Sequence, residues 1–117
     1  VYICIYKYIE IFGTPEQYLN EEKYMNEKLI ERKLTRLARQ SGGPAIKFTS
    51  PGFDGVPDRL LIFPNGKCAF VELKAPGRKP RPLQIKRIKQ IESLGFKVFI
   101  IDCPGQIGGI IDELIKS

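Results

Sequence analysis

Between two strand-like runs, Asp58–Phe63 and Cys68–Lys74, lie Pro64, Asn65 and Gly66, and these three residues dictate how the runs pair. Proline presets the first corner of a type I turn, and glycine suits the left-handed position that closes a three-residue hairpin loop. The loop predicts that Phe63 pairs with Lys67. Counting back along an antiparallel ladder, Leu61 faces Ala69, Arg59 faces Val71 and Asp58 faces Glu72. Directly opposed residues on a sheet have Cβ atoms about 5 Å apart. Lys74, two residues beyond Glu72, projects from the same face because strand side chains alternate. One turn therefore predicts two carboxylates and an ammonium group in one small space.

Opposed carboxylates repel, so they make a poor structural pair. A divalent cation between them would convert repulsion into coordination, and carboxylate oxygens suit hard ions such as Mg²⁺ or Mn²⁺. The lysine could then position a water or stabilise charge on a phosphate. The plainer alternative is a surface ion pair between Glu72 and Lys74, with Asp58 capping a strand. The chain contains no histidine. That excludes Ser-His-Asp catalysis, His-ligated zinc and imidazole acid–base chemistry. Three widely spaced cysteines, Cys4, Cys68 and Cys103, make neither a disulfide framework nor a zinc site, and a reducing cytoplasm fits them best.

Charge points to the partner. The net charge is +6, and from Met25 onward 17 Lys or Arg stand against 9 Asp or Glu. The stretch from Lys74 to Lys89 carries seven positive residues and no negative one. A polyanion is the natural partner of such a surface, although a solvated basic face would look the same.

At 117 residues there is room for one domain with a modest core. Residues 1–24, rich in Tyr and Ile, are expected to be an N-terminal extension; they make a poor signal peptide, and no run is long enough to span a membrane. The domain proper is expected over 25–117. The pattern predicts a helix over Asn26–Gln40, stopped by Gly42-Gly43-Pro44, then a short strand AIKFT and a glycine-rich loop. After the hairpin come a proline-rich loop, a helix over Leu83–Leu94, a buried strand over Phe96–Asp102, and a closing helix from about Ile107 to Lys116. This order predicts an α/β fold with a central mixed β-sheet flanked by helices. On a helical wheel Glu27 and Glu31 share the side of Ile30, Leu34 and Ala38, and a carboxylate on an inward face needs a partner. Gln84 shares the stripe of Ile88 and Ile91, as a capping amide or as part of a site.

With these residues in place, GVPDRLLIF and FVELKAPGRKPRPLQ resemble the PD-(D/E)xK nuclease signature: Pro57-Asp58, then Glu72-Leu73-Lys74 starting 14 residues after Asp58. With the upstream helix ERKLTRLARQSGG, and Gln84 ten residues after Lys74, the arrangement looks like the virus-type replication–repair nuclease (VRR-NUC) domain. The resemblance covers about Met25 to Asp102. It implies a restriction-endonuclease-like fold and Mg²⁺-dependent hydrolysis of DNA phosphodiesters. Asp58, Glu72 and the Leu73 carbonyl would ligate the metal, and Lys74 would orient water. Glu31 would complete the acidic cluster through a water, with Glu27 in reserve, and Gln84 would lie beside Lys74. Arg78, Lys79, Arg81, Lys86, Arg87 and Lys89 would grip DNA phosphates. Small members resemble Holliday-junction resolvases acting as homodimers in a phage or bacterial host cytoplasm. Flap or other branched DNA is the nearest alternative substrate, and a non-catalytic nucleic-acid-binding module the alternative class.

Overall fold

The computed structural model describes residues 27–117, so the expected extension over 1–24 and the domain start at Met25 lie outside the described residues. Helix α1 spans Glu27–Gln40 and buries Ile30, Leu34 and Ala38, the one-sided stripe seen in the sequence. Glu27 in its first turn and Arg39 in its last complement the helix dipole. The chain leaves α1 through Gly42, whose φ of 111° favours glycine. Gly43 then donates its N–H to the Ala38 carbonyl at 3.2 Å.

Four strands follow in sheet order β1 (Ala45–Lys47), β2 (Arg59–Phe63), β3 (Lys67–Leu73) and β4 (Lys97–Ile101). The first two pairings are antiparallel and the last is parallel. The expected strand AIKFT is shorter as a ladder, but the Phe48 N–H still reaches the Asp58 carbonyl at 2.8 Å. Helix α2 (Pro82–Ser93) crosses from β3 to β4, and α3 (Ile107–Lys116) closes the chain.

The hairpin has the expected register, with Phe63 opposite Lys67, Leu61 opposite Ala69 and Arg59 opposite Val71. The turn differs in one detail. Asn65 takes a left-handed conformation (φ 65°, ψ 28°) as well as Gly66 (φ 70°). Asn tolerates this region better than most residues because its short amide bonds locally to backbone.

Strand alternation divides the sheet into two unlike faces. Leu61, Phe63, Ala69, Val71, Leu73 and Ile101 face α1 and α3, packing against Ile30, Leu34, Ala38, Ile107, Ile111 and Leu114. Each such Leu or Ile contributes about 1.5–3 kcal/mol of burial, which makes this face the stabilising one. The other face carries α2, with Ile88 and Ile91 buried. It also carries a chain of edge-to-face rings, Phe48 on Phe70 at 5.5 Å and Phe70 on Phe96 at 5.9 Å. β4 was expected to be buried throughout, yet it is half-buried from Lys97 to Ile100. It is the last strand of the sheet among the described residues. Cys68 is a free thiol. No helix among the described residues is long and apolar enough to cross a membrane.

Candidate active site

One step beyond the Arg59–Val71 rung, Asp58 stands across from Glu72 at the end of the hairpin away from the turn. Both project from the α2 face, since Arg59, Val71 and Leu73 point to the α1 face. Asp58 is held by its own neighbours. The Leu73 N–H donates to its Oδ1 at 3.2 Å, and Pro57 before it is fully buried. Glu72 is only 4% exposed. Gln84 donates from Nε2 to Glu72 Oε1 at 2.9 Å. The same amide accepts the Arg81 N–H through Oε1 at 2.8 Å. Gln84 therefore caps α2 through the oxygen of its amide and holds Glu72 through the nitrogen. Lys74 Nζ lies 3.5 Å from Glu72 Oε1.

The electrostatics follow from this crowding. Burial pushes the Glu72 carboxyl up, and the adjacent Asp58 charge adds to the rise, against the pull of Lys74. Burial likewise raises Asp58, against the Leu73 N–H and the Arg59 and Lys74 charges. Glu72 Oε2 is buried without a hydrogen-bond partner. Buried polar atoms are rarely left so, and the exceptions need a reason.

Glu31 departs from expectation. Its Oε1 lies 2.6 Å from Arg59 Nη2, and Arg59 sits among the core side chains, 7% exposed. That contact is on the opposite face of the sheet from Glu72. Glu27 is exposed at the start of α1. Among the described residues no group of three acidic, Cys or His side chains is close enough to hold a metal ion; the two acids that meet are Asp58 and Glu72. A helical wheel shows which side of a helix a carboxylate occupies but not which sheet face it meets. The missed partner was legible: alternation places Arg59 on the side of Leu61 and Phe63, where a guanidinium needs an acid. Glu31→Ala is expected to lower stability by about 1–2 kcal/mol by stranding Arg59, the exposed half of the pair limiting the loss. Urea denaturation measures it.

The proposed phosphate contacts divide. Arg78, Lys79, Arg81, Lys86 and Lys89 are exposed along the loop and on α2. Arg87 is half-buried, and its Nε donates to the Asp54 carbonyl at 2.7 Å while Nη1 donates to Gln90 Oε1 at 2.9 Å. Sequence reasoning also assigned nothing to Asp102. It is 1% exposed, neither carboxylate oxygen has a hydrogen-bond partner, and burial raises its pKa.

The chain is 48% identical over 80 residues to "Putative nuclease p44" of Acyrthosiphon pisum secondary endosymbiont phage 1, an alignment covering 68% of this chain and 86% of that protein. A solved structure described as "VRR_NUC domain" superposes with a TM-score of 0.66 at 30% identity, over 77% of this chain and 94% of that one. A second, "VRR_NUC domain protein", gives 0.63 at 15% identity over 78% and 88%, a likeness of fold. No family model matches the sequence. The hairpin that pairs Asp58 with Glu72 and the likeness to these proteins lead to one assignment: the chain belongs to the VRR-NUC family, with the PD-(D/E)xK type of fold.

Proposed function

We propose that this nuclease hydrolyses phosphodiester bonds in branched DNA, as a Holliday-junction resolvase does, using a divalent cation held by Asp58 and Glu72. One observation carries the reading. Glu72 Oε2 is buried, without a partner, beside a second carboxylate. A cation such as Mg²⁺, with Mn²⁺ as a substitute, satisfies that oxygen and relieves the repulsion in one step. The Leu73 carbonyl is the next donor along the strand. When bound, the ion supplies Lewis acidity, lowering the pKa of a water and offsetting charge on the scissile phosphate.

The remaining work falls to the protein's own residues. Gln84 holds Glu72 in one orientation, and Leu73 does the same for Asp58 through its N–H. The Lys74 ammonium orients the attacking water and stabilises negative charge accumulating on phosphate oxygens. Arg78, Lys79, Arg81, Lys86 and Lys89 contact flanking phosphates, which positions DNA without reading its sequence. Symmetric cuts across a four-way junction require two sites, and one chain supplies one, so the working form is a homodimer. Its setting is a phage or bacterial host cytoplasm, and the catalytic domain is the segment 25–117.

Incubation with four-way-junction, flap and linear DNA in Mg²⁺ tests this reading. Paired nicks in the junction are expected; cutting of flaps alone reassigns the substrate, and gel shifts with all three DNAs and no cutting sink the proposal.

The raised carboxyl groups give a pH dependence. Both acids must lose their protons to bind a cation, so protons and cation compete, and at limiting Mg²⁺ activity falls with acidification in a window above the ordinary carboxylate range. A pH profile of kcat/KM locates it. In EDTA the effect on stability has the opposite sense. The folded state holds these protons to higher pH than the unfolded chain, so stability present at low pH is lost as pH rises through the folded pKa values.

A further inference from the structure

Arg87 was expected to grip phosphate, but its guanidinium is already engaged. Nε donates to the Asp54 carbonyl at 2.7 Å, Nη1 donates to Gln90 Oε1 at 2.9 Å, and the guanidinium carbon lies 4.1 Å from the centre of the Phe53 ring. Asp54 and Phe53 belong to the glycine-rich loop before Asp58; Gln90 belongs to α2. The planar fork of arginine suits simultaneous hydrogen bonding and ring stacking, which a lysine ammonium cannot reproduce.

Gly55 meets the same contact from the loop side. Its φ is +83°, and a Cβ there would stand 2.9 Å from Leu83 Cγ, 3.2 Å from the Leu83 carbonyl oxygen and 3.3 Å from Arg87 Cγ. Only glycine lets the loop lie this close to α2. Between Gly55 and Asp58 stand only Val56 and the fully buried Pro57. That leaves little slack, because the proline ring fixes φ. The helix that receives the loop also carries Gln84, which holds Glu72. A single contact thus ties the two halves of the acid pair together.

We propose that Arg87 is a positioning residue: with Gly55 it clasps the glycine-rich loop to α2 and so fixes Asp58 opposite Glu72, instead of contacting DNA phosphate. The role presumes the nuclease site described above, but its geometric consequence can be read without any cutting. The Leu73 amide, which donates to Asp58 Oδ1, reports the position of Asp58 directly.

Amide hydrogen exchange on the full chain in EDTA, with Arg87→Ala, Arg87→Lys and Gly55→Ala, measures that report. Exchange at Leu73 is expected to quicken about tenfold in all three, as for loss of local protection, while Val71 in the core ladder is unchanged. If Arg87→Ala does not fold, Arg87→Lys and Gly55→Ala carry the test. DNA binding in Ca²⁺ is followed across salt concentrations alongside. Lys86→Ala is expected to lower the salt slope by about 1, and Arg87→Ala to leave it as in the parent. An unchanged Leu73 rate, or a slope that falls as far as in Lys86→Ala, overturns the proposal. If the clasp passes while the parent cuts none of the DNAs, the functional reading fails and the clasp stands.

Discussion

Glu72→Gln is expected to cut nuclease activity by at least about 10³-fold while making the protein more stable. The first effect is that of losing a group acting at the reacting centre. The second follows from the surroundings. Glu72 is buried beside Asp58, with one oxygen unpartnered, so a neutral amide of the same shape removes a desolvated charge and a repulsion. It keeps an oxygen to accept from Gln84. A gain of about 1 kcal/mol in EDTA, or ~4 °C in Tm, is the expected size. Lys74→Ala is expected to lose a similar share of activity, because Lys74 Nζ stands next to Glu72 Oε1. Calorimetry beside single-turnover cleavage separates these outcomes. Retained cleavage in both variants removes the catalytic assignment, and a destabilised Glu72→Gln removes the electrostatic one.

The second large effect concerns the fold alone. A Cβ on Gly43 would stand 1.8 Å from the Ile62 carbonyl oxygen and 2.7 Å from Phe63 Cδ1. Neither can yield cheaply, since Ile62 also donates its N–H to the Pro44 carbonyl at 3.2 Å and Phe63 is a core residue. Gly43→Ala is therefore expected to cost about 3 kcal/mol or more, the upper end of overpacking effects. That is a large part of the 5–15 kcal/mol that typically holds a domain together. Urea midpoints decide it, with Gly108→Ala as the control, since a Cβ there meets nothing within 4 Å. A Gly43→Ala protein as stable as the parent would show that β2 does not run so close beneath this turn.

Where the sequence read well, the physics was local. Turn chemistry and period-two alternation set the pairing of Phe63 with Lys67, and the positions of Asp58, Glu72 and Lys74 follow by counting. The stripe of Ile30, Leu34 and Ala38 was equally local. What read poorly depended on how separate elements meet. Glu31 was placed correctly on its helix, yet the partner it reaches is fixed by α1 packing on the Arg59 side of the sheet. Arg87 looked like one more basic residue, and only the folded loop shows its Nε and Nη1 committed to Asp54 and Gln90. Gln84 was read as either a capping amide or a site residue; its acceptor end caps α2 and its donor end reaches Glu72, a contact between elements that the helical stripe does not show.

The corner at Pro64–Gly66 has a consequence for how such a gene can vary in length. Five rungs, from Phe63–Lys67 to Arg59–Val71, count out the distance to the acids, and the corner acts as their zero mark. A codon gained or dropped within β2 or β3, away from a bulge, would exchange inside for outside along every later rung. It would drive Asp58 or Glu72 into the oily layer beneath α1 and turn Leu61 or Val71 outward. Such a change would strike stability and chemistry in one stroke, whereas an extra residue at exposed Gly52 would disturb neither ladder.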